Sequence, residues 1–218
     1  MSFENLVIES KKHFPDLKIK YKNQSWFMKL IGFLFFFNKS FMTKYTTTIG
    51  STVYFTDESN VKNRPVSSAI TLLHELVHIN DAHKVSKPLF GFLYLTPQIL
   101  SLLLLPLLFV LNWYIILPLM LLFLLPIPSF FRMYYEKKAY ITSLYVINTL
   151  SIKLNFKPLL ASQEKQFLIQ FKNASYYFMW PFSNLEKDFA DAIEKIKKGE
   201  RPFEDPIFNI LDKLIAVV

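Results

Sequence analysis

Residues 69–83 read AITLLHELVHINDAH, and the arrangement of the rest of the chain follows from this stretch. Ile70, Leu73 and Val77, with Leu72 and Leu76 beside them, keep the three- and four-residue spacing of a helix that buries one face. Ser67 or Ser68 is placed to cap its start, and Pro88 to end it. Inside it stands His74-Glu75-Leu76-Val77-His78, an HExxH pattern. Positions four apart share a helix face, so two imidazoles can converge on one ion while Glu75 lies beside it, within reach of a water there. Zinc (Zn2+) is the expected cofactor: it lowers the pKa of its water to about 7 and polarises a carbonyl, and the adjacent carboxylate carries a proton to the leaving amine. The competing account is two histidines hydrogen-bonded in a core helix. Cysteine is absent, which excludes disulfides, thiolate metal sites and a cysteine nucleophile, and leaves nitrogen and oxygen as the only metal donors.

Beyond Pro88 the composition changes. Residues 88–131, PLFGFLYLTPQILSLLLLPLLFVLNWYIILPLMLLFLLPIPSFF, are 44 positions without a charge. A bilayer core takes roughly 20 helical residues to cross, so this run has room for two short legs turning at Asn112-Trp113. Pro97, Pro106, Pro118, Pro126 and Pro128 kink or shorten them, which makes re-entrant legs an alternative to spanning ones. Lys84 and Lys87 flank one end and Arg132, Lys137 and Lys138 the other, so both ends are expected on the cytoplasmic side of a membrane. The same run could instead bury itself against apolar partner subunits. The opening MSFENLVIESKKHF has acidic residues and no apolar core, and is expected to be an amphipathic helix and not a secretory leader.

Upstream of the motif, residues 3–13 read as a helix, LKIKY (17–21) as a strand and WFMKLIGFLFFF (26–37) as a short buried or interfacial helix. KYTTTIGSTVYF (44–55) alternates as one strand with a bend or bulge at Gly50. Downstream, residues 132–154 and 162–171 are helical, 175–182 form a tyrosine-rich break, and two amphipathic helices cover 184–198 and about 203–217.

A catalytic zinc takes a third protein ligand. His83 does not complete HExxHxxGxxH, which needs a glycine at position 81 and a histidine at 84, where Asp81 and Lys84 stand. Asp81, three residues after His78, could touch the metal or hold a ligand imidazole from behind. Glu136, in Arg132-Met133-Tyr134-Tyr135-Glu136-Lys137-Lys138-Ala139-Tyr140, could supply a carboxylate from a second helix, or be a solvated acid beside two lysines.

With HELVH, the uncharged run, Ser129, Arg132 and Glu136-Lys-Lys-Ala139 in that order, residues 44–145 resemble the membrane-embedded gluzincins that include the CaaX prenyl endopeptidases and bacterial heat-shock membrane metallopeptidases. The resemblance implies His74, His78 and Glu136 as zinc ligands and Glu75 as catalytic base and acid. That family has an aspartate after the alanine, where this chain has Tyr140, so its contact to a ligand histidine is lost or replaced, with Asp81 as the candidate. Its N-terminal hairpin is also missing, unless 26–37 is a remnant. The implied fold is mainly α with a small β-sheet, a minimal zincin-like metalloprotease carrying an inserted apolar α-hairpin. The divisions are 1–87 with the HExxH helix, 88–131 as insert, and 132–218 as a helical C-terminal part holding the third ligand.

The expected function is a zinc-dependent endopeptidase acting on peptides near a membrane, with lipid or apolar subunits against 88–131. The alternative is a structural component of a larger assembly, such as a virion or membrane complex, with a structural or vestigial metal site. Tyr140, Tyr176, Tyr177 and His83 are candidates to hydrogen-bond a developing oxyanion. The net charge of +8 suits an anionic surface. Lys195, Lys197, Lys198 and Arg201 are expected to form a solvated face, and no nucleic-acid motif accompanies them.

Overall fold

The computed structural model describes residues 3–34, 40–125, 127–156, 160–173 and 183–218. Among these the chain is mainly helical with one small sheet, as expected. Helix α1 (Phe3–His13) leads to β1 (Lys18–Tyr21), a 3-10 turn (Lys22–Gln24) and α2 (Trp26–Leu34); residues 35–37 of the apolar stretch fall outside the described residues. Helix α3 (Ser40–Thr43) precedes β2 (Thr47–Ile49) and β3 (Thr52–Phe55). Next come α4 (Glu58–Asn63), capped where Asp57 accepts the Asn60 N–H at 2.7 Å, and α5 (Pro65–Val85), the HExxH helix.

Residues 44–55 were expected as one bent strand and are two. Ile49 pairs with Thr52, so Gly50 and Ser51 form a two-residue hairpin loop, and Gly50 takes φ +60°, which costs glycine nothing. Alternation does not distinguish a bent strand from one folded back on itself, because the period is two in both. Strand β3 is central, with β1 parallel on one side and β2 antiparallel on the other, so β2 is an edge and β3 is not.

Helix α5 begins earlier than its serines suggest. Pro65 occupies the first turn, where its missing N–H costs no helical bond, and Ser67 and Ser68 lie inside the helix. The helix ends at Val85 because Ser86 takes φ 91°, and Pro88 belongs to the first turn of α6 (Lys87–Leu95).

The uncharged run is broken into short pieces: α6, α7 (Ile99–Leu103), a 3-10 turn (Leu105–Phe109) and α8 (Trp113–Leu124), with Asn112 at the N-cap of α8. Among the described residues no single helix is long and apolar enough to cross a membrane; α6 and Ile99–Phe109 would suffice together but meet at 106°. Helices α7 and α8 lie against each other and leave Phe109, Val110, Trp113 and Tyr114 open, Phe109 at 93% exposure.

Helix α9 (Phe130–Lys153), capped by Ser129, is followed by α10 (Leu160–Lys172), α11 (Leu185–Lys197) and α12 (Ile207–Val217). It packs most extensively on α5 and stands between two apolar cores. Ala139, Val146 and Leu150 join the first, with Leu72, Leu73 and Leu76 of α5, the sheet, α1 and α12. Met133, Ile141 and Leu144 join the second, with Leu160, Phe171 and Phe189. Ala139 is wholly buried, and its single methyl lets the HExxH helix and α9 approach closely.

Candidate metal centre

Three consecutive side chains of α9 point to three different neighbours, as the roughly 100° step of a helix requires. Lys138 pairs with buried Asp81 of α5 and with Asp205 at 2.8 Å, Lys137 reaches Asp188 of α11 at 2.7 Å, and Glu136 faces the two motif histidines. Glu136 is therefore no solvated acid beside two lysines: it is 3% exposed, and both lysines are engaged elsewhere.

His74 Nε2 stands 3.6 Å from Glu136 Oε2, and His78 Nε2 stands 3.6 Å from Glu136 Oε1. One donor atom from each of the three residues falls within 4.8 Å of the others. Donors held at about 2.1 Å around a tetrahedral ion lie about 3.4 Å apart, so the three side chains are nearly in register for such an ion. Among the described residues Glu136 Oε2 is buried without a hydrogen-bond partner, His74 Nε2 at 3.6 Å being too distant for one, so a carboxylate oxygen is left unsatisfied in the cluster. Two imidazole nitrogens and a carboxylate suit zinc and other divalent first-row ions.

Burial alone pushes the Glu136 carboxyl up, but the imidazoles of His78 and His74 overcome it and hold it below the usual carboxylate range. Burial disfavours the charged form of His78, and the carboxylate of Glu136, with Glu75 and Asp81 behind it, overrides this and raises its pKa. Negative charge converging on one buried and one partly buried imidazole favours a cation between them.

Glu75 lies on the same helix, buried, and among the described residues its carboxylate has no hydrogen-bond or ion-pair partner. Its charge acts on Lys22, wholly buried after β1, whose ammonium donates to Phe41 O at 2.7 Å and stands 3.9 Å from the centre of that ring. Burial pulls the Lys22 pKa down to about 8 against the pull of Glu75.

Asp81, a candidate ligand or support for a ligand imidazole, is turned to Lys138. His83 is turned away from the cluster towards Asp16, 3.5 Å from its Nε2. Tyr140 sets its ring on edge against His74, centroids 4.9 Å apart, and packs on Phe167 and Phe171. Tyr176 and Tyr177 lie outside the described residues. Lys195, Lys197, Lys198 and Arg201 are all exposed, as expected of a solvated face, and three of them also bond within the chain: Lys198 to Glu194 and Arg201 to Asp212, both at 2.7 Å, and Lys195 to Pro202 O at 3.2 Å.

Two side chains that the sequence did not single out complete the site. Ser143 Oγ lies 3.0 Å from His74 Nδ1. The Tyr94 hydroxyl of α6, inside the uncharged run, donates to Glu136 Oε1. The Tyr94 ring packs against His78, centroids 5.9 Å apart, and under the Arg132 guanidinium at 5.3 Å. Arg132 also donates to Gln98 at 3.2 Å, and Ser129 donates to Thr96 O at 2.5 Å, so the start of α9 is fastened to the end of α6 beside the cluster.

The chain matches no protein-family model, no curated protein and no solved structure.

Proposed function

We propose that the chain is a zinc-dependent endopeptidase that cleaves peptide segments close to a membrane, with His74, His78 and Glu136 as metal ligands and Glu75 as the proton carrier. The observation behind it is the convergence of a partly buried and a buried imidazole with one buried carboxylate from two helices, next to Glu75, whose carboxylate has no hydrogen-bond or ion-pair partner among the described residues. A divalent ion held there supplies a Lewis acid that polarises a scissile carbonyl and acidifies water. Glu75 accepts the proton of the attacking water and delivers it to the departing amine, which a carboxylate without a competing partner is free to do. Strand β2 is an edge of the sheet among the described residues, upstream of the motif helix, and an extended substrate backbone could pair along it. A small sheet beside an HExxH helix, with the third ligand on a later helix, suits a minimal zincin in which 88–131 is an inserted apolar hairpin.

The membrane enters through that run. Its exposed Phe109, Val110, Trp113 and Tyr114 form an uncharged surface, and its bent helices favour shallow, re-entrant insertion over a crossing. The same exposed surface also favours a second assignment, an assembly component whose 88–131 docks on protein and whose metal is a brace. Metal content and turnover, measured together, separate the two. Glu75→Gln is expected to keep stoichiometric zinc and to lose cleavage of an unfolded peptide substrate. Unchanged cleavage by that variant would remove Glu75 from its role, and stoichiometric zinc without turnover in the wild type would favour the brace.

A further inference from the structure

We infer that Ser143 is a positioning residue that holds His74 in the tautomer able to bind a metal through Nε2. The inference rests on the assignment of His74 as a ligand. An imidazole that gives its Nε2 lone pair to an ion must carry its proton on Nδ1, and that N–H needs an acceptor when it is buried. Ser143 Oγ lies 3.0 Å from His74 Nδ1, and its own proton is directed to Ala139 O, 2.9 Å away one turn earlier in α9. With its hydrogen committed there, the hydroxyl presents lone pairs to the ring and accepts from it. The other side of the ring is set by Tyr140, edge-on at 4.9 Å, which leaves Nε2 facing Glu136 Oε2.

The two ligand histidines therefore differ in support. His78 Nδ1 is buried and makes no hydrogen bond among the described residues, whereas His74 Nδ1 has Ser143. Asp81, three residues after His78, gives one carboxylate oxygen to Lys138, and neither of its oxygens bonds His78 Nδ1 among the described residues. The acceptor for His74 comes from α9, so the helix that carries Glu136 also sets the proton on a ligand carried by α5. Ser143 is 3% exposed, and its neighbour Leu144 is wholly buried, so the hydroxyl has little freedom to turn away.

The test uses the full chain in detergent micelles, with Zn2+ competed by a chelator and the fold followed by circular dichroism. Ser143→Ala is expected to weaken zinc binding about 10- to 100-fold with unchanged helix content, and Ser143→Thr, which keeps the hydroxyl, to bind within about threefold of the wild type. On wild-type protein labelled with 15N-histidine and loaded with Zn2+, His74 is expected to show a protonated, slowly exchanging Nδ1 and a metal-bound Nε2. The inference is overturned if Ser143→Ala binds as tightly as the wild type, if alanine and threonine weaken binding equally, or if Nδ1 is the metal-bound atom. Should the alanine variant not fold, the nitrogen spectrum decides alone. Parallel His74→Ala and Glu136→Ala proteins separate the two levels: if both lose zinc while Ser143→Ala keeps it, only the role of Ser143 falls, and if both bind zinc like the wild type, the metal assignment falls with it.

Discussion

If His74, His78 and Glu136 hold zinc as proposed, removing one hydroxyl from the uncharged run should loosen it, although all three lie outside that run. In Tyr94→Phe the ring can keep its place against Phe90, His78 and Arg132, while the hydrogen bond to Glu136 Oε1 is lost. Hydrogen bonds to charged groups contribute about 1.5–3 kcal/mol, and this acceptor is a buried carboxylate with one oxygen already unpartnered. The expected loss is about 10- to 100-fold in zinc affinity. Because Tyr94 sits on α6, whatever positions 88–131 also positions that hydroxyl. Zinc loss to a chelator should therefore be slower with the protein in lipid, or in its native assembly, than after transfer to an amphipathic polymer. In Tyr94→Phe the dependence on surroundings should shrink. The assay is the rate of zinc transfer to a coloured chelator for both proteins in each environment. Equal rates for the wild type in every environment would refute the coupling and leave the run as an anchor only. A dependence that persists undiminished in Tyr94→Phe would show that the coupling passes through other contacts, such as Arg132 with Gln98.

Two further predictions concern the surroundings of the site. Lys22 carries a pKa lowered to about 8, so burial opposes its charge fully below pH 8 and the opposition fades as pH rises from 8 towards 10.5, a difference of about 3 kcal/mol at most. Denaturant unfolding should find Lys22→Met more stable than the wild type at pH 7 by roughly 1–2 kcal/mol, with the gain vanishing near pH 10.5; a gain independent of pH would mean that the ammonium is not what the fold resists. Ala139→Leu puts three more carbons where α5 meets α9, and should cost about 1–3 kcal/mol in stability and weaken zinc binding by parting the two ligand-bearing helices. Thermal unfolding and zinc titration check both effects, and destabilisation with unchanged affinity would show that the helices separate without moving their ligands.

Of His74, His78 and Glu136, two could be read from sequence because they share a helix face by spacing alone, and the third only through the resemblance carried by the uncharged run, Ser129, Arg132 and Glu136-Lys-Lys-Ala139 in that order. Tyr94 could not be read that way. It is one aromatic among many in a run with no polar period to orient it, and its partner is 42 positions away. Ser143 lies in mid-helix, where serine usually bonds back to its own backbone; it does so here, and the bond that matters for His74 uses the remaining lone pairs. Lys22 reads as one more cation of a basic chain, because no local pattern announces that it is enclosed. The local errors have physical causes too. Proline in a first turn started α5 before the serines that looked like caps, and a glycine able to take positive φ folded one expected strand into two.

The three divergent contacts of α9 decide how a bound ion would be felt. Glu136, Lys137 and Lys138 fasten one turn of helix to the motif histidines, to α11 and to the pair formed by Asp81 and Asp205, while the same helix lines both apolar cores. A ligand so placed has no local exit: to withdraw, it must take with it links that belong to distant parts of the molecule. The free energy of occupancy is then spread across the whole structure, as in any equilibrium where only the intact form binds. A metal taken up here would work as a keystone, and its departure would be registered first in the cooperativity of unfolding, well away from the atoms that held it.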